Sequence, residues 1–273
     1  MQKSLIKIVE KTRAGIDRHC LIDLAKYAAF LTIIIAGISV GTQRLGYNWQ
    51  WYRVPRYLYV IENGRCLAGP LLQGLLITFR IAGVSLILAF IFGLVTAVFR
   101  LSSSIVARAL GRGYVELIRN TPLLVQIFFM YFVLSPILGI SPFASAVLAL
   151  SLFEGSYAAE IMRSGIVSIE RGQWEAAYSS GLSAFEVYRH VILPQAFRRV
   201  LPPLTSQAIS LIKDSSLVST IAIYDLTMQG QKIVSETFLA FEIWFTVAAI
   251  YLVITISLSF VVGMMESRMK LSH

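Results

Sequence analysis

The sequence predicts an all-α polytopic membrane protein of about six transmembrane helices, on three observations. Hydrophobic residues make up 56% of the 273 and charged residues 14%, against roughly 45–50% and 25% in soluble domains. The mean hydropathy is +0.71. The apolar residues gather into six stretches, each near the roughly 20 residues that a bilayer crossing needs. Disorder is excluded at this composition.

The stretches fall at 24–42, 72–99, 114–134, 143–162, 203–224 and 241–265. Lys26 at the edge of the first can carry its ammonium to the headgroups while its stem stays in the apolar layer. A cleaved leader is the rival reading of this start, but six basic side chains in the first 26 residues are too many and too spread for its basic region. Gly37-x3-Gly41 is a close-packing pattern of weak specificity. The following loop, 43–70, sets Arg44, Arg53, Arg56 and Arg65 beside Tyr47, Trp49, Trp51, Tyr52, Tyr57 and Tyr59. Such a mixture suits a segment lying at the headgroup layer, or else contact with an external partner. Within the third stretch, Asn120-Thr121-Pro122 is expected to break or bend a helix, because proline removes an amide donor.

With six spans both termini share one side, and the basic residues choose it. Placing the termini in the cytoplasm puts six Lys or Arg of 1–26, three of 100–112, five of 163–199 and two beyond 265 inside. Arg44, Arg53, Arg56, Arg65 and Lys232 are left outside. The net charge of +9 is therefore read as topology and not as a nucleic-acid footprint. Cys20 and Cys66 flank the first span, which keeps them from bridging.

The cytoplasmic stretch 163–202 is too long for a connector and carries helix signals. A helix fits 171–180 and is closed by Gly181, suited to a left-handed cap. Ser183-Ala184-Phe185-Glu186 is a capping-box pattern opening a second helix. That helix shows Phe185, Tyr188 and Val191–Ile192 on one face, with Glu186, Arg189 and His190 opposite, and Leu193-Pro194 is expected to end it.

The run Glu175-Ala176-Ala177-x3-Gly181-x9-Val191-x-Leu193-Pro194 resembles the EAA loop of permease subunits of bacterial ABC importers, with Val191 where that family favours Ile. Arg119-Asn120-Thr121-Pro122-Leu123-Leu124-Val125-Gln126, Ala159-Glu160-Ile161, Gly172-Gln173-Trp174 and Leu211-Ile212-Lys213-Asp214-Ser215-Ser216-Leu217 are similar to its polar amino-acid branch. The resemblance covers about 70–265 and implies a five-span importer domain there. It leaves 1–69 as an added segment with its own span and 266–273 as a cytoplasmic tail. It further implies that Glu175, Ala176, Ala177, Gly181, Leu193 and Pro194 belong to a coupling helix seated on an ATPase. The implied partners are an ATPase dimer binding ATP and Mg, a second permease (identical or homologous) and a periplasmic or extracellular binding protein. A polar amino acid is the implied cargo, membrane lipid the surroundings, and the bacterial cytoplasmic membrane the location.

Ionisable groups inside spans are costly and normally face the protein interior. Arg80, Arg119, Glu154, Tyr157, Glu160, Ser210, Lys213 and Asp214 are accordingly the candidate pathway residues. Lys213 or Arg80 could meet an amino acid's carboxylate, and Glu154, Glu160 or Asp214 its ammonium. A purely structural role competes for each of them. The chain holds no G-x-x-x-x-G-K-[ST] loop, so it is not expected to be its own ATPase. His19, His190 and His273 form no metal pattern. A secondary amino-acid transporter or channel driven by ion gradients, or a membrane scaffold, is the alternative class.

Overall fold

The structure, a computed structural model, describes residues 22–23, 25–33, 36–37, 39, 41, 46–62 and 64–270, the side chains of Glu62 and 265–270 excepted. The basic N-terminal segment with Cys20 and His19, Arg44, and His273 with the two residues before it lie outside the described residues. The chain divides into two units, 1–50 and 51–273. In the first, the described residues between 22 and 41 are helical, where the first span is expected. Lys26 pairs with Asp23 at 3.1 Å, one turn apart.

The second unit opens with a 3-10 turn, Trp51–Arg53, and α1, Pro55–Leu58. An antiparallel hairpin of β1, Tyr59–Glu62, and β2, Arg65–Ala68, follows. The hairpin sits inside the aromatic and basic loop, where no strand is expected from the sequence. The remaining elements are helices. α2 is Pro70–Leu101, α3 Ile105–Arg119, α4 Leu123–Leu138 and α5 Pro142–Val167. α6 is Arg171–Ser179, α7 Ala184–Glu186, α8 Leu193–Asp214, α9 Leu226–Thr237 and α10 Ala240–Lys270.

Among the described residues, α2 and α10 are long and apolar enough to cross a membrane, and α3 with α4 would make a third span that bends by 104°. α5 and α8 have the length but carry more polar groups, so apolar length alone does not return six spans. The stretch 114–134 is not straight. Its helix stops at Arg119, Pro122 withholds an amide, and α4 leaves in a new direction. Gln126 reaches back to hold the break, its Nε2 donating to Ile118 O at 2.7 Å and Thr121 Oγ1 at 2.7 Å. The kink expected at Asn120-Thr121-Pro122 is therefore present, and it divides the span.

α2 and α5 run side by side in the same direction. Ser85 Oγ donates to Val147 O at 3.4 Å, and Ser151 Oγ to Ser85 O at 3.3 Å. One main core lies between α2, α4, α5 and α8, with Ile81, Ile127, Leu150, Leu211 and Val218 fully or almost fully buried. α8 crosses α5 where Gly165 replaces a side chain: a Cβ there would stand 2.0 Å from Val200 Cγ2. α9 caps the opposite end. Asp225 Oδ1 accepts from Met228 N at 2.8 Å and Thr78 Oγ1 accepts from Leu226 N at 3.2 Å, which ties α9 to α2.

Candidate functional site

The stretch 163–202 folds as a compact corner beyond the end of α5. α6 ends at Ser179, and Gly181 takes φ +80°, the left-handed conformation that a helix cap needs and that a Cβ disfavours. Ser183 and Glu186 then form the reciprocal box: Glu186 N donates to Ser183 Oγ at 3.4 Å and Ser183 N to Glu186 Oε2 at 2.9 Å. Hydrogen bonds from the Ser183 hydroxyl and amide, with a smaller attraction from His190, hold the Glu186 carboxyl below the usual glutamate range.

The second helix does not end at Leu193-Pro194. A π turn, Val187–Ile192, leads directly into α8, so residues 184–214 form one helical run. The wider turn accommodates a proline that has no amide to give. It also moves the buried face. Val187 and Ile192 are fully buried with Ile169, Ala177 and Ala196 in a small core of their own, whereas Phe185 is 70% exposed. Trp174 stands edge-on to Tyr188 at 5.2 Å, and Gln195 Nε2 donates to Gln173 Oε1 at 3.1 Å, which fixes α6 against this run.

Within the corner Ala177 faces the core, while Glu175, Ala176, Gly181, Leu193 and Pro194 lie on the surface. Glu175 is partnered by Arg171 of its own helix, Nε to Oε1 at 2.8 Å. The pair is highly exposed and adds little to stability. The corner is thus an open surface on which small and polar residues stand beside the exposed apolar Tyr178, Phe185 and Leu193.

The candidate pathway residues other than Arg80 sort into three sets. Glu154, 2% exposed on α5, accepts from Gln207 Nε2 of α8 and has the Asp214 carboxyl beside it within hydrogen-bonding and electrostatic reach, and no other partner of its Oε1 lies among the described residues. Ser210 and Lys213 share α8 with this set, Ser210 half-buried and Lys213 exposed. Arg119, at the break after α3, lies over the Tyr157 ring at 4.8 Å. Glu160 belongs to a separate cluster, clamped between Arg100 of α2 and Arg163 one turn along α5.

Glu160 is therefore a tie between α2 and α5, and Arg80 is exposed away from all three sets. Arg163 is legible from its spacing to Glu160; nothing in the sequence points to Arg100, sixty positions away. Much of the hydroxyl content after 203 serves its own helix. Thr205 donates to Pro202 O, Ser215 to Ile212 O and Ser219 to Ser216 O, at 2.7–2.8 Å.

Comparison with known proteins places this geometry in context. Residues 81–271 match the family described as binding-protein-dependent transport system inner membrane component. The chain is 42% identical over 204 residues to the glutamine transport system permease protein GlnP of Escherichia coli (strain K12), covering 74% of this chain and 93% of that one. It is 43% identical to the L-cystine transport system permease protein TcyB of Bacillus subtilis (strain 168), covering 67% and 81%. A crystal structure of an amino acid ABC transporter with histidines superposes with a TM-score of 0.70 at 36% identity, covering 73% of this chain and 94% of its own. The MetNI methionine ABC transporter in an inward-facing conformation shares the fold at 20% identity and a TM-score of 0.62.

Proposed function

The chain belongs to the inner membrane components of binding-protein-dependent transport systems and is a permease subunit of an ABC importer; from that premise we propose that it carries a polar amino acid across the bacterial cytoplasmic membrane. Membership replaces the gradient-driven and scaffold alternatives. The relatives named for glutamine and L-cystine transport support the cargo class.

The observation that carries the reading is the unbroken run over 184–214. One end of it bears the open corner of Glu175, Ala176, Gly181, Leu193 and Pro194, backed by the buried Ala177, and this is the surface on which an ATPase dimer holding ATP and Mg would sit. The other end carries Gln207, Lys213 and Asp214 beside Glu154. The paired Glu154 and Asp214 carboxyls suit an ammonium, and Lys213 suits a carboxylate. Glu160 is already matched by two guanidiniums and so has a structural part. A second permease, identical or homologous, would complete the pathway, and a periplasmic or extracellular binding protein would deliver the cargo. Both termini would lie in the cytoplasm.

The test is ATP hydrolysis by the assembled complex in liposomes, with cognate binding protein and each of the twenty amino acids in turn. One polar amino acid should stimulate hydrolysis. Glu175→Ala, which removes only an exposed ion pair, should lower the stimulated rate with its melting temperature little changed, and adding Gly181→Leu should bring it to the unstimulated rate at a cost of about 1–2 kcal/mol for a Cβ in the left-handed cap. Uptake in ATP-free liposomes under an ion gradient would overturn the reading.

A further inference from the structure

α3 has three sides. One is packed against α2 and α5. Gly111 lies against the Arg100 and Phe99 side chains, Val115 is buried, and the Tyr114 hydroxyl donates to Leu152 O at 2.6 Å. The second is an open apolar seam of Val106, Leu110, Gly113 and Leu117, whose three large side chains are 69%, 62% and 66% exposed. Its steps of four, three and four residues are those of a helix that packs lengthwise on another helix. The third side carries Arg112 and Glu116, both exposed.

The charged residues of α3 are Arg108, Arg112, Glu116 and Arg119. Arg108 donates to Ser102 O and Ser103 O at 2.8 and 2.9 Å, and Arg119 lies over Tyr157. Arg100, the cation of α2 beside them, is committed to Glu160. Glu116 Oε2 accepts from Asn120 Nδ2 at 3.1 Å. Although four positions apart, Arg112 and Glu116 make no salt bridge among the described residues.

This pattern is complementary to itself. The midpoint of Leu110 and Leu117 and that of Arg112 and Glu116 both fall at Gly113–Tyr114. Two antiparallel copies of α3 crossing there would set each Leu110 against the other's Leu117, and each Arg112 against the other's Glu116. Antiparallel helices bring like sides together, so seam meets seam and charge meets opposite charge. A Cβ on Gly113 would meet nothing within 4 Å inside the chain. The missing side chain therefore relieves no internal crowding, and it leaves room for a second backbone to come close.

The membrane supplies the antiparallel geometry. α3 and α4 meet at 104°, so with α4 across the bilayer α3 lies near the membrane plane. Two copies inserted the same way up and related by a closed two-fold have that axis along the membrane normal. Such an axis passing Gly113 makes two in-plane helices antiparallel.

We propose that the second permease is a second copy of this chain, and that the two copies meet through α3 about a two-fold axis at Gly113. The proposal rests on the permease reading above and adds the partner's identity and the surface that receives it.

The test is disulfide formation in the membrane-embedded complex with its ATPase partners, Cys20→Ser and Cys66→Ser having removed the native thiols. Under mild oxidation Gly113→Cys should link two identical chains. Ile105→Cys, exposed but roughly 25 Å from its symmetry mate at 1.5 Å per residue, should not. Arg112→Glu sets like charges opposite each other and should lower linking through Gly113→Cys about tenfold. Arg112→Glu with Glu116→Arg restores both pairs and should recover it, which separates pairing from misfolding. The proposal is overturned by no link at Gly113→Cys, by a link to a chain of different sequence in mass spectrometry, or by indifference to Arg112→Glu. Amino-acid-stimulated hydrolysis by the unoxidised complex reports on the permease reading separately, so a missing link with stimulation intact overturns this inference alone.

Discussion

Glu186 does the work of a whole turn of structure. Its carboxylate accepts from both the amide and the hydroxyl of Ser183, and those bonds set the angle at which the chain leaves Gly181. They favour the ionised form, so the folded pKa lies below the unfolded one, and the stabilisation is present above the ordinary glutamate value of about 4.3. As pH falls through the folded value it is lost. Amide hydrogen exchange over 183–192, corrected for intrinsic rates, should therefore lose protection as the pH falls below the ordinary glutamate range. Glu186→Gln should abolish that pH dependence while keeping the corner folded, because a glutamine can fill the same capping role. Protection unchanged down to pH 3 in the wild type would contradict this account. Gly165 makes its point through absence. The 2.0 Å approach that a Cβ would meet at Val200 lets α5 and α8 touch at backbone distance beneath the corner.

At the scale of elements, the break between α3 and α4 depends on one side chain. Gln126 satisfies carbonyl and hydroxyl groups that the kink frees at Ile118 and Thr121. Gln126→Leu leaves Ile118 O with only its long bonds from Thr121, N at 3.4 Å and Oγ1 at 3.3 Å, and takes the amide donor from Thr121 O, so the permease should lose about 1 kcal/mol of stability. Thermal melting of the purified protein, with spin-label distances across the bend becoming broader, checks this. Unchanged melting and distances would mean that Pro122 alone holds the angle. Local chemistry made much of this level legible from the sequence. Pro122 announces the break, Gly181 the cap, and Ser183 with Glu186 the box, because each acts through neighbours three or four positions away. What the sequence hides is set at long range or by phase. Arg100 meets Glu160 only because α2 and α5 lie parallel. The hairpin over 59–68 is masked by the aromatic residues that also suit an interface. The π turn before Pro194 shifts the periodicity by one residue, so Val187 is buried where Phe185 is expected, and the helix outruns its proline. Glu154, Gln207 and Asp214 are each visible as costly intramembrane groups, but their meeting needs the crossing of α5 and α8.

For the whole molecule, the asymmetry of basic residues makes a directional prediction that the two native cysteines can test. Cys66 is exposed on β2, on the side expected to be exterior, and Cys20 precedes the expected first span in sequence, so the same expectation puts it inside. A membrane-impermeant maleimide should label Cys66 in intact spheroplasts, as read in a Cys20→Ser variant. Cys20 should be labelled only after permeabilisation, as read in Cys66→Ser. The reverse pattern would invert the topology.

The uninterrupted run from the capping box to Asp214 also governs timing. At 1.5 Å per residue it measures about 45 Å, and with no loop along it there is no slack to take up. A displacement at Ser183 would reach Gln207 reduced only by what the rod itself absorbs, like a pushrod and unlike a chain of gears. Where the rod has compliance, it is at the π turn and at Pro202-Pro203. Changes there would alter how far the pathway end travels per stroke, leaving untouched both the corner proposed to receive the stroke and the groups proposed to meet the cargo.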